Sequence, residues 1–118
     1  MRNYKDNPIV KMSFEFALGI IEFSELLREE KRFAVADQII RSGCSVGANI
    51  KEAQSAESKA DFIHKMKIAS KEAEETEYWL ELCEFSKKYP KPKQLLSEIE
   101  SILKVLSKII TTSRKNEK

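Results

Sequence analysis

Six glutamates crowd into one stretch of this chain: Glu72, Glu74, Glu75, Glu77, Glu81 and Glu84. Paired carboxylates do acid and base chemistry where burial and a pocket separate their pKa values. No pocket is signalled around this run, so it reads as a solvated helix face with some members paired to cations. The one histidine, His64, stands among Lys65 and Lys67. A di-iron bundle needs two Glu-x-x-His motifs, so a single histidine excludes ferritin-like oxidation. A Ser-His or Cys-His mechanism would rest on the same His64, which lies off the apolar seam of its helix and reads as a surface residue. Cys44 and Cys83 are far apart and lack CxxC spacing. They signal neither zinc nor a disulfide framework and read as small buried or half-buried residues.

The stretch "RSGCSVGANI", Arg41 to Ile50, admits a phosphate loop, a nucleophile in a tight turn, or a helix that needs small side chains. A phosphate loop would end in Lys-Ser or Lys-Thr, which is absent here. No catalytic residue, metal ligand, cofactor or small-molecule substrate is therefore expected. A different chemistry is offered by Lys87, Lys88, Lys91 and Lys93, followed by Lys104, Lys108, Arg114, Lys115 and Lys118. These residues either contact phosphates, with binding that falls steeply in salt, or serve as ordinary solubilising charge. The formal charge of +2 favours neither.

The elements that must position these residues are helices. With 118 residues, 42% of them hydrophobic and 34% charged, the chain suits one domain with a core of its own and an amphipathic helical make-up. Apolar residues from Phe14 to Leu27 recur at three- and four-residue spacing, predicting a helix over about 13–30 capped by Ser13 or Asn7. Ile39, Gly43, Val46, Ile50 and Ala53 make a heptad-like seam in a second helix, about 34–56. Ser58 and Asp61 resemble a capping box that opens a third helix, about 59–88, with Phe62, Met66, Ala69, Ala73, Thr76, Leu80 and Cys83 on its seam. "YPKP", Tyr89 to Pro92, stops it. Leu95, Ile99, Ile102, Leu106 and Ile109 mark a fourth helix, about 93–114. Short links predict an all-α, up-and-down antiparallel four-helix bundle. The opening "MRNYKDNPIV" has no apolar run for a signal peptide, and no segment reaches the roughly 20 apolar residues that span a bilayer. A cytoplasmic protein without membrane contact is expected.

With the central hairpin laid out, "IIRSGCSVGANIKEAQSAESKADFIHKMKIASKEAEETEYWLELC", Ile39 to Cys83, resembles small bacterial four-helix bundle proteins. These are related to the protein encoded in intervening sequences of large-subunit ribosomal RNA. Arg41, Ser42, Ser45, Asn49, Ile50, Glu52, Ala53, Lys59, Phe62, Ala69, Glu72, Thr76, Tyr78, Trp79 and Leu80 carry the resemblance, and "SFEFALGII" fits the family's opening. Other members have proline where this chain has Gly47 and glycine where it has Ala53, which places it in a glycine-bearing branch. The resemblance implies a left-handed bundle and ring-shaped homopentamers. One similar protein, the accessory variability determinant of diversity-generating retroelements, binds nucleic acid and a reverse transcriptase.

Helical wheels assign surfaces independently of the family. Ala36, Ile40, Gly43, Cys44 and Gly47 widen the second helix's apolar arc to about half its circumference. The excess is either a broad core-facing stripe or a contact with another subunit. Gly43 and Gly47 lie one turn apart and read as close-packing positions, since each costs about 1 kcal/mol in helix propensity against alanine. The opposite face carries Gln38, Arg41, Ser45, Asn49 and Glu52, and the hairpin turn brings Arg41 level with Glu72, Glu74 and Glu75. A polar network of Arg41, Ser45, Asn49, Glu52, Glu72 and Glu75 is expected to set hairpin register. Ile68 and Trp79 share a line off the third helix's seam. Trp79 is either an interface anchor or packed inside its own subunit. The expectation is a non-enzymatic homo-oligomer associated with nucleic acid, or alternatively an oligomeric protein-interaction scaffold with no nucleic-acid role.

Overall fold

The computed structural model describes residues 6–116, and four helices account for most of them: α1 (Pro8–Glu29), α2 (Phe33–Ala53), α3 (Lys59–Phe85) and α4 (Lys93–Lys115). Each helix packs on its neighbours in the chain, α1 also meets α4, and the diagonal pairs α1/α3 and α2/α4 do not touch. The result is an up-and-down four-helix bundle of 50 × 29 × 20 Å.

The helix ends show what local chemistry decides. α1 starts at Pro8, earlier than Ser13, because proline at the first helical position gives up only an N–H that would be unpaired anyway. Asn7 occupies the cap position without a side-chain cap bond, its amide donating instead to Gln54 Oε1 at 3.0 Å. Ser13, buried one turn further on, donates to the Val10 carbonyl. At the other end Lys31 takes the left-handed conformation, φ 62°. The Arg32 N–H returns to the Leu27 carbonyl and the Lys31 N–H to that of Arg28, both at 2.9 Å, a Schellman ending normally given to glycine.

The turn into α3 uses its acid-and-serine pair. The Ser58 hydroxyl accepts from the Asp61 N–H at 3.0 Å, and the Asp61 carboxylate accepts from the Glu57 N–H. α2 ends at Ala53 and α3 at Phe85, both short of the expected 56 and 88. Ser86 is already extended, and the Lys91 ammonium, reaching back from the link, donates to the carbonyls of Cys83, Glu84 and Ser86. A cation on the last carbonyls opposes the negative end of the helix and completes their bonding.

Phe16, Ile20, Leu27, Ile39, Ile50, Met66, Leu80, Ile99, Ile102 and Leu106 fill the core, and their three- and four-residue spacings set one face of each helix inward. Ser42 and Thr76 are buried beside them, each returning its hydroxyl to the carbonyl four residues back. The tightest approach is between α1 and α2. A Cβ on Gly43 would lie 2.8 Å from Ile20 side-chain carbons, and one on Gly47 would lie 3.2 Å from the Ser13 carbonyl oxygen. Both glycines thus face α1 within the bundle.

Gly43→Leu is expected to destabilise the protein by about 1–3 kcal/mol, since overpacking at Ile20 outweighs the roughly 1 kcal/mol gained in helix propensity. Urea unfolding followed by circular dichroism measures it; an unchanged midpoint would show that α1 and α2 separate at no cost.

Candidate functional site

Three groups of side chains stand out on the bundle surface. The first joins α2 to α3. Arg41 pairs with Glu72 at 3.5 Å and more closely with Glu75, while Gln38, one turn earlier, accepts from its Nε and Nη2 at 3.2 and 3.0 Å. Glu75 also accepts from the Trp79 indole N–H at 3.0 Å. One carboxylate therefore holds a guanidinium from the neighbouring helix and an indole from its own. Ser45 and Asn49 do not cross the hairpin; each donates to the carbonyl four residues back, Arg41 and Ser45 respectively. The expected network is narrower as a result, because a short hydroxyl or amide on a helix reaches its own backbone before it reaches the next helix. Glu52 instead approaches Lys65 at 4.0 Å.

Trp79 is half-buried and packs on the core, as the intramolecular alternative requires, and Ile68 is half-buried as well. The apolar residues that α3 shows to solvent are Tyr78, Leu82 and Phe85, the last 83% exposed. Off-seam apolar residues at four- then three-residue spacing were the available sequence signal. α1 has a matching set in Phe14, Leu18 and Ile21, all exposed.

The third group is basic. Lys93, Lys104, Lys108 and Lys115 are all exposed and lie along α4. At 100° per residue they fall within an arc of about 60°, and they span about 33 Å. Ser97 and Thr111 share that line. Lys87 and Lys88 are exposed in the link before α4. Lys91 is corrected as a free phosphate contact, since its donors are spent on the α3 terminus. Lys118 lies outside the described residues.

The acidic face of α3 is electrostatically loaded beside this line. Burial first, then Glu81, Glu100 and Glu74, push the Glu77 carboxyl above its ordinary range. Burial also pushes the Cys83 thiol up to about 11, against a lowering influence from Lys91, and raises that of Cys44. Both are protonated, poorly nucleophilic thiols at neutral pH. His64 and Cys83 are separated by nineteen residues of α3, about 28 Å, too far for a dyad. Among the described residues no cluster of three or more His, Cys, Asp and Glu could hold a metal ion, and no helix is long and apolar enough to cross a membrane.

The α1–α4 seam is the most open of the four. Grooves of about 380 and 460 Å³ run along it, meeting at Gln94 and Glu98. Glu15, Glu22 and Glu98 line them with Phe16 and Phe23, and Lys91 and Lys93 line the second, a shallow surface of mixed charge.

A family model described as 23S rRNA-intervening sequence protein matches residues 5–111. The chain is also similar to a solved structure, a protein of unknown function from the S23 ribosomal protein family of Bacteroides thetaiotaomicron VPI-5482. The identity is 44%, over 86% of this chain and 97% of that one, with a TM-score of 0.81. No curated protein matches the chain.

Arg41 is about half exposed, 49%, so its ion pairs contribute about 1 kcal/mol or less. Arg41→Glu is expected to cost more than Arg41→Ala by setting three carboxylates together. Glu72→Arg should recover at least half of the loss, and it leaves the Glu75–Trp79 bond intact. Urea midpoints of the four variants in this cycle check it; simple additivity would remove the register role.

Proposed function

We propose that this chain, which belongs to the 23S rRNA-intervening sequence protein family, is a non-enzymatic, cytoplasmic, self-assembling bundle that carries a phosphate-binding surface on α4. By family analogy the assembly is a ring of five. The observation that carries the reading is the line of Lys93, Lys104, Lys108 and Lys115 on one exposed face of α4. Lysine ammoniums are strongly hydrated point charges that suit the repeating phosphates of a nucleic-acid backbone, and the hydroxyls of Ser97 and Thr111 add neutral donors between them. A protomer's four lysines make a modest site. Repeated around an assembly they act together, and the effective concentration of the second contact replaces high affinity in the first. No base-reading groups converge along the line, so the surface suits backbone recognition without sequence preference. A solved neighbour grouped with S23 ribosomal proteins makes RNA the first nucleic acid to test.

The second reading, an oligomeric protein-interaction scaffold with no nucleic-acid role, is favoured by the exposed apolar residues of α1 and α3.

Fluorescence anisotropy with labelled single-stranded RNA, hairpin RNA and duplex DNA separates the two. Binding below about 1 μM near 50 mM salt is expected, with log K falling linearly in log salt concentration. Lys104→Glu with Lys108→Glu should weaken binding at least about tenfold and reduce the salt slope by about 1–2. Affinity and slope unchanged in that variant, or no binding by the parent protein, would overturn the phosphate-surface reading and leave the scaffold.

A further inference from the structure

Two apolar stripes are exposed on helices that do not touch. On α1 they are Phe14, Leu18 and Ile21; on α3 they are Tyr78, Leu82 and Phe85. Both follow a spacing of four and then three, so each α3 residue is the α1 residue plus 64. The stripes match one to one when the two helices lie side by side in the same direction, pairing Phe14 with Tyr78, Leu18 with Leu82 and Ile21 with Phe85. A shallow depression of about 520 Å³ lined by Tyr78, Glu81, Leu82, Phe85 and Ser86 lies at the α3 stripe.

Charge selects the direction. One turn before the α1 stripe stands Lys11, and after it stand Glu22 and Glu25; one turn before the α3 stripe stands Glu74, and after it Lys87 and Lys88, all exposed. Parallel alignment sets Lys11 against Glu74 and Glu22 and Glu25 against Lys87 and Lys88. Antiparallel alignment of α1 on α3 sets like charges together at both ends, which suppresses that arrangement.

We propose that the occupant of each stripe is a second copy of this chain, with the α1 stripe of one copy seated along the α3 stripe of the next. The contact is heterologous: α1 and α3 sit at diagonal corners of the bundle, so each copy presents both halves and the contact repeats from copy to copy. An isologous pair built on either stripe alone would leave the other bare. Aromatic residues at both ends of the matched stripes, Phe14 with Tyr78 and Phe85 beside Ile21, flank the central Leu18–Leu82 pair and fit the enrichment of aromatics in such contacts. The stripes stand at different heights. Gly43 against Ile20 and Arg41 against Glu72 and Glu75 place the α1 stripe lower by about ten residues, about 15 Å, so the contact closes into a ring only with the bundles tilted to the ring axis.

This inference rests on the self-assembly proposed above, and the test keeps the two apart. Solution mass by light scattering is measured for the parent protein, Leu18→Glu, Leu82→Glu and an equimolar mixture of the two variants, with circular dichroism to show that each is folded. The parent is expected to be an oligomer and each variant a monomer. The mixture should form a 1:1 dimer that stops there, because one variant keeps only its α3 stripe and the other only its α1 stripe. Lys11→Glu should lower the association constant at least about tenfold, and Glu74→Lys in the same chain should restore it; this pair also serves if a leucine variant fails to fold. A monomeric parent protein would overturn both the assembly and the pairing. An oligomeric parent with Leu82→Glu still assembled, variants that stay monomeric when mixed, or no charge-swap rescue would overturn the pairing alone.

Discussion

The contact on which the rest of the bundle depends is the seating of Ile20 against Gly43, with Ser13 against Gly47 one turn away. With no side chain on two consecutive turns of α2, its backbone closes on α1, and Ile20, Ile39, Val46 and Ile50 are then sealed together. The approach fixes the rotation of α1 about its own axis. Once Ile20, Phe16 and Phe23 turn inward, Phe14, Leu18 and Ile21 have nowhere to go but outward. The same rotation leaves α4 with a thin seam against α1, padded at one place by Leu95 over Gly19. An apolar outer stripe and an open groove are therefore two products of one close approach, and neither requires a separate local cause.

Polar groups at the α2–α3 interface do a different kind of work. Apolar seams with heptad spacing leave the sliding of one helix past its neighbour weakly specified, because a shift by one repeat buries nearly the same residues. Arg41, held by Gln38 on its own helix and by Glu72 and Glu75 on the next, penalises that shift. Its energy is small because water reaches it. Its directional fork is what distinguishes one register from another. The α4 lysine line is independent of all this: no core residue shares its arc, so its charges can change without disturbing the packing beneath.

Repeated apolar spacing made the four helices and their inward faces readable in the sequence, and Ser58 with Asp61 marked the start of α3. Hairpin arithmetic also put Arg41 level with the carboxylates it meets. What was hidden had physical reasons. Asn7-Pro8 is equally compatible with a lead-in and with a first helical turn, and only the tertiary fit of Ile9 and Val10 into the core decides for the helix. The end of α3 depends on Lys91 folding back from beyond Pro90, a contact no local pattern announces. The indole of Trp79 found Glu75 four residues back, which moved the aromatic inward and left its neighbour Tyr78 as the exposed ring. Lys31 in a left-handed turn is invisible to propensity, because the Schellman bonds around it compensate a conformation that lysine seldom takes.

Arg32 has a consequence for how the bundle comes together and apart. From the α1–α2 turn its guanidinium donates to the Lys88 carbonyl, 56 residues away, and lies over the Tyr89 ring at 4.7 Å. Nearly every other packing relation joins helices adjacent in the chain, so each helical hairpin closes over a short loop at small entropic cost. The α1–α4 seam and the Arg32 clamp are the long-range closures, and both are sparse. Fluctuations short of global unfolding therefore part the molecule there first, α1 swinging from α4 like a door whose latch is a single arginine, while the α2–α3 hairpin stays paired.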